Sequence, residues 1–335
     1  MNQKRKIKRR TLELYTSEIA ITVLSALLIV VSTVAIIKGA VRINFFDMST
    51  IERDILLYVR VPRVLLAGLV GAALGFSGVL FQYVMKNPLA DSFTTGVSAS
   101  SAMGAVVAIV LGLGMLVPLF ALTGGIIGLI TVYKIASVRG KVQPITMLLA
   151  GIVISTFSSA IISFMKFLSN DAVSSIIFWL MGGFQSASIS KAAVLGIILL
   201  LSYLLIRRDS LSLDIICFDD TTAISSGVAV ARLRRKAFFI AALLTAFSVG
   251  YAGIIGFVGL IIPHIIRLLR FFKASELIPL SLLGGAFFMI LNDLIARTIL
   301  AEGQELPVGI ITSAVGGMFF LYLLIKRRKE LYYVD

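Results

Sequence analysis

The 335-residue chain holds one cysteine, one histidine and only 17 acidic residues. A lone Cys217 excludes an internal disulfide and any multi-cysteine metal site. One His with one Cys is also too few for zinc. No G-x-x-x-x-G-K-[ST] phosphate loop occurs, so the chain does not itself bind and hydrolyse a nucleotide in the P-loop manner. The G-x-S-x-G and H-E-x-x-H signatures are missing as well, and no catalytic constellation replaces them. His264 follows Pro263 inside an apolar run and is expected to be structural.

Charge is equally scarce. Charged residues make up 14% and hydrophobic residues 59%, against about 25% and about 45–50% in ordinary soluble domains. The mean hydropathy of +1.02 and the 28 glycines fit an all-α polytopic membrane protein, in which glycine lets helices approach closely. The net charge of +14 follows from basic residues collecting in cytoplasmic loops, and so gives no support to nucleic-acid binding.

Segments of about 20 apolar residues are long enough to cross the hydrocarbon, and ten are expected. They run over 19–37, 64–84, 95–113, 116–133 and 145–164, then 192–206, 237–255, 256–272, 277–299 and 308–325. The first follows the basic start MNQKRKIKRR and is too long for the apolar centre of a cleaved signal, so it is expected to be a membrane helix with its N-terminus inside. With an even count, both termini are expected in the cytoplasm of a multi-pass cell-membrane protein. On this topology 23 of the 31 Lys and Arg fall on the cytoplasmic side, as the positive-inside rule requires.

The eight exceptions are Lys38, Arg42, Arg53, Arg60, Arg63, Lys166, Lys191 and Arg297. Arg60, Arg63 and Arg297 either snorkel to headgroups or serve a partner, and Asp293 offers Arg297 a structural mate one helical turn away. Asp293 is the main acid in any span, which weakens an ion-coupled secondary carrier as a reading. Small residues gather in the fifth span at Gly151, Ser155, Ser158, Ser159 and Ser163. They gather in the tenth at Gly309, Thr312, Ser313, Gly316 and Gly317. Close packing and a weakly polar pathway wall are both consistent with them. The whole chain, 1–335, is one membrane domain, and its longest polar connection, 207–236, is expected to form short amphipathic helices.

Three long strings resemble the FecCD permease family: RVPRVLLAGLVGAALGFSGVLFQYVMKNPLADSFTTGVSAS from Arg60, GIIGFVGLIIPHIIRLL from Gly253, and NDLIARTILAEGQELPVGIITSAVGGMFFLYLL from Asn292. LLAGIVIS and WLMGGF add to the match, which covers nearly everything after residue 55. The resemblance implies a type II ABC importer permease fold with ten transmembrane helices. It also implies a second permease subunit, either a copy of this chain or a related one, two ATP-binding subunits that hold ATP and Mg, and an external binding protein. This chain itself would carry no cofactor and no metal.

The resemblance makes Arg60, Arg63 and Arg297 binding-protein docking residues, since they match the family R-x-P-R and A-D-x-x-A-R elements. It makes Gly151, Ser155, Ser158, Ser159, Ser163, Thr312, Ser313 and Gly316 part of the translocation pathway. The ATPase-coupling pattern G-E-E-x-A-R-x-L-G-V lies over 219–228, where Asp219, Asp220, Thr222, Ala223, Gly227 and Val228 are the expected coupling residues. Ile224 stands where the family has Arg and Ser226 where it has Leu. Ser92 likewise replaces the usual Pro after NPLAD. The implied cargo is a metal chelate, foremost a ferric siderophore, with cobalamin and haem as alternatives. GFxG recurs at Gly75–Gly78 and Gly256–Gly259, a hint of an internal repeat.

Overall fold

A computed structural model describes residues 2–39, 48–138, 141–169, 172–300 and 304–331. Arg42, Arg139 and residues 301–303 of the third family string lie outside the described residues, as do the side chains of the basic N-terminal run.

Among the described residues the regular structure is helical except for a two-residue antiparallel pairing of β1 (Ser137–Val138) with β2 (Lys141–Val142). The first half comprises α1 (Asn2–Ile37), α2 (Thr50–Asp54), a π-turn (Ile55–Arg60), α3 (Val61–Met85), α4 (Val97–Val110) and α5 (Val117–Ala136). After the strands come α6 (Pro144–Leu168), α7 (Val173–Leu180), α8 (Ile189–Arg207), α9 (Ser210–Phe218) and α10 (Asp220–Ser225). The last four are α11 (Val230–Ala252), α12 (Val258–Leu268), α13 (Ala274–Thr298) and α14 (Val308–Leu331).

Among the described residues, seven helical segments are long and apolar enough to cross a membrane, and three shorter apolar helices accompany them at Val97–Val110, Val258–Leu268 and Val308–Leu323. The chain is therefore a multi-pass membrane protein. The shorter three coincide with the expected third, eighth and tenth spans. The eighth was expected over 256–272, but its helix is cut at both ends by left-handed residues, Phe257 at φ 68° and Arg270 at φ 72°. A hydropathy window sees only composition and runs through both breaks. Conversely, α11 begins seven residues before the apolar run, because Arg232, Arg234, Arg235 and Lys236 are good helix formers that hydropathy trims away.

The middle of the molecule is α3, nearly all of whose residues are buried, whereas α1 at the periphery is little buried over its apolar stretch. Glycine makes that burial possible. A Cβ on Gly71 would sit 2.2 Å from the Gly285 carbonyl oxygen, and one on Gly285 would sit 2.2 Å from that of Gly71, so α3 and α13 meet backbone to backbone. The two GFxG motifs also meet, since a Cβ on Gly78 would lie 2.1 Å from the Gly259 carbonyl oxygen. With its 25 residues, α3 is about 37 Å long at 1.5 Å per residue. It thus separates two polar ends of the molecule by more than the roughly 30 Å hydrocarbon thickness.

Candidate functional site

At the N-terminal end of α3, Arg63 and Arg297 form a charge network with the buried Asp293 and the part-buried Glu305, and Arg60 and Arg297 bind the end of α1. Arg63 pairs with Asp293 at 2.9 Å and with Glu305 at 2.7 Å, and Arg297 reaches Asp293 at 3.1 Å across one helical turn. Asp293 thus accepts from both guanidiniums, while Glu305 lies just ahead of α14 with its side chain 23% exposed. Arg60 donates to the carbonyls of Ile36 and Ile37 at 3.0 and 2.6 Å, and Arg297 donates to that of Ala35 at 3.2 Å. These are last-turn carbonyls of α1, which lack intrahelical donors and form the negative end of that helix. Two guanidiniums therefore cap it. All three arginines are buried, none more than 6% exposed.

Sequence reasoning saw these arginines as exceptions to the charge rule and saw the Arg297–Asp293 pair. It did not see Glu305, which meets Arg63 across 242 residues of chain. In this structure each of the three arginines is already engaged.

At the other end, α3 stops at Lys86, which takes a left-handed conformation at φ 49° and closes the helix with its N–H on the Gln82 and Tyr83 carbonyls. The Lys86 ammonium lies 2.8 Å from Asp220. The same carboxylate takes a two-pronged contact from Arg234 of α11, at 2.8 Å on each oxygen. Asp219 caps α10 by accepting from the Thr222 N–H at 2.9 Å and also accepts from the Thr221 hydroxyl. Those hydrogen bonds, Thr221 first, hold the exposed Asp219 carboxyl down at about 2.

Gly227 supplies the left-handed exit at φ 82°, with the Val228 N–H returning to the Ala223 carbonyl at 2.9 Å. Ala223 is fully buried beneath α10, while Thr221, Thr222, Ile224 and Ser225 face outward. The coupling residues of the sequence reading thus divide. Asp220, Ala223 and Gly227 build the helix and its seat, and Thr222 offers surface.

The eight proposed pathway residues divide likewise. Gly151, Ser158, Thr312 and Gly316 are buried among helices. A Cβ on Gly151 would lie 2.1 Å from the Thr94 carbonyl oxygen, and one on Gly316 would lie 2.3 Å from the Phe257 ring. At these positions close packing accounts for the small residue. Ser159, Ser163 and Ser313 are exposed, and the half-buried Ser155 donates to the Phe93 carbonyl at 3.0 Å, tying α6 to the loop after α3. Ser313 also borders a recess of about 610 Å³ between that loop, α12 and α14, with Asp91, Thr94, Ile254, Phe257 and Gly309 around it. Its volume lies within the usual range of ligand clefts, roughly 300–1,000 Å³.

His264 packs against the rings of Phe319 and Phe320, with centroids 5.9 and 6.3 Å away. Among the described residues, no group of His, Cys, Asp and Glu is arranged to hold a metal ion.

Comparison with known proteins adds the decisive observation: the FecCD transport family model matches residues 19–326. The chain belongs to the FecCD transport family. It is 36% identical to the cobalamin import system permease protein BtuC of Halobacterium salinarum, over 80% of this chain and 73% of that one. Identity to the Fe(3+) dicitrate transport system permease protein FecD of Escherichia coli is 34%, over 82% and 86% of the two chains. The fold superposes on a solved metal-chelate type ABC transporter in an inward-facing conformation, with a TM-score of 0.82 and 30% identity. That alignment covers 91% of this chain and 98% of the other. As a FecCD protein the chain is a permease subunit of an ABC importer, with an all-α membrane fold and no nucleotide hydrolysis of its own.

Proposed function

We propose that this FecCD permease imports a ferric chelate, foremost a siderophore, as a ten-helix subunit paired with a second copy of itself. Two ATPase subunits drive the pair from the α9–α10 end, and a binding protein delivers cargo at the arginine end. On this reading 207–236 and both termini lie in the cytoplasm. The observation that carries the reading is the contrast set up by α3, which separates a basic, internally neutralised end from an end that carries the short helices α9 and α10. Ser155, Ser159, Ser163 and Ser313 then belong to a weakly polar wall, which suits a bulky cargo selected elsewhere and released quickly. Gly151, Ser158, Thr312 and Gly316 hold that wall in place by close packing.

An ion-coupled carrier fits less well, because Asp293, the acid best placed for it, is held by Arg63 and Arg297. Proteoliposomes with and without the ATPase subunits decide between them. Uptake of ferric siderophore is expected only with ATPase, ATP and binding protein together. Uptake by the permease alone would overturn the proposal. Cobalamin and haem are the competing cargoes, and parallel uptake assays rank the three.

The docking role of Arg60, Arg63 and Arg297 takes a definite form here. A carboxylate on the binding protein competes with Glu305 for Arg63. Glu305→Gln should therefore tighten docking several-fold at low salt by removing the internal competitor, whereas unchanged affinity would confine the arginines to the fold.

A further inference from the structure

We propose that a pocket of about 240 Å³ beside the coupling segment receives a carboxylate side chain of the ATPase subunit and clamps it with Arg267. Gln82, Tyr83, Lys86, Asp214, Cys217 and Arg267 line it, from the end of α3, from α9 and from the end of α12. This inference rests on the reading that α9 and α10 face the ATPase, and it adds the chemistry of the contact.

The charges of the pocket do not balance. Arg267 donates through Nη1 to the Gln82 side-chain oxygen, and among the described residues no carboxylate pairs with it. The acid that lines the same pocket is taken by other donors. Asp214 accepts from the Ala274 N–H at 2.8 Å and from the Tyr83 hydroxyl at 2.9 Å. Lys86 is matched with Asp220. A half-buried guanidinium is thus left with a neutral amide as its partner, next to open volume. An incoming carboxylate would supply the missing charge and the two-pronged geometry that a guanidinium favours.

The surroundings favour a protein as the source. Phe218 and Phe272, 87% and 62% exposed, stand at the rim, and aromatic residues around a charged anchor are typical of interface centres. Phe218 is followed directly by Asp219, where the coupling segment begins, and Lys86 links the pocket to α10 through Asp220. A partner seated on α10 therefore lies beside the pocket mouth.

The test uses the full permease in nanodiscs and its purified ATPase subunits, with affinity read across salt concentrations. Arg267→Gln should weaken ATPase binding by about tenfold and flatten its salt dependence, while Arg267→Lys, which keeps the charge, should lose less. Thr222→Trp, which places bulk on the outward face of α10, tests the underlying reading separately. The exposed Cys217, the single cysteine of the chain, reports coverage, because bound ATPase should protect it from maleimide. If Thr222→Trp blocks binding and Arg267→Gln leaves it unchanged, the coupling surface stands and the acid-binding pocket falls. If neither variant changes binding and Cys217 is not protected, the coupling reading falls with it. If Arg267→Gln strips bound anionic phospholipid and spares ATPase affinity, the occupant is a lipid headgroup and the proposal is overturned.

Discussion

The two ends of α3 handle their charge in opposite ways. At the arginine end, Arg60, Arg63 and Arg297 meet Asp293, Glu305 and the last carbonyls of α1, and the guanidiniums are buried. At the α9–α10 end, Asp220 is shared between Lys86 and Arg234 with its side chain 40% exposed, Arg267 pairs with no acid among the described residues, and Phe218 and Ile224 project outward. Burial makes the first network an all-or-nothing structural unit, because a charge left unpaired there has no water to turn to. Exposure makes the second adjustable, and on the proposed reading a partner completes it.

The largest expected effect comes from breaking the buried end. Asp293→Asn leaves Arg63 with Glu305 and removes the carboxylate that Arg297 contacts, and should destabilise the permease by about 3–5 kcal/mol in detergent unfolding. A loss below about 1 kcal/mol would mean that the network behaves like surface charge. Charge reversal of Arg60, Arg63 or Arg297 to Glu belongs with this variant, since it would set a new carboxylate in the same buried network. Such a change disturbs the fold before it reports on docking, which is why Glu305→Gln is the sharper probe.

A smaller effect is expected across the molecule. Asp220→Asn removes the acid shared by Lys86 and Arg234, and at its exposure should cost about 0.5–1 kcal/mol, shrinking as salt is added. A salt-independent loss as large as that of Asp293→Asn would erase the contrast between the ends.

The mildest effect is a pH dependence. The Asp219 carboxyl titrates at about 2 in the folded chain, below the ordinary aspartate value of about 3.9. Its cap on α10 is therefore fully in force above about pH 4 and is lost as pH falls toward 2. The protection factor of the α10 amides, exchange relative to the intrinsic rate at each pH, should fall over that window in the wild type and be flat in Asp219→Ala.

Some of this was legible in the sequence because it is local or breaks a rule. The Asp293–Arg297 pair is four residues apart on one helix, and Arg60 and Arg63 stand out because the other side of the membrane should hold most of the charge. The partition of α6 and α14 was hidden, since spacing shows that small residues recur along a helix and cannot show which neighbour each meets. Gly151 proved to face a backbone carbonyl and Ser159 the exterior. Glu305 and Arg267 were hidden for another reason. The partner of Glu305 and the pocket around Arg267 come from segments far apart in the chain, and no local pattern carries that information.

The contrast between the ends is tested most directly by hydrogen exchange of the permease in nanodiscs, with and without its ATPase subunits. The account predicts strong added protection over α9, α10 and the end of α12, and no change around Arg63, Asp293 and Arg297. Protection appearing at the arginine end, with α9 and α10 unaffected, would contradict it.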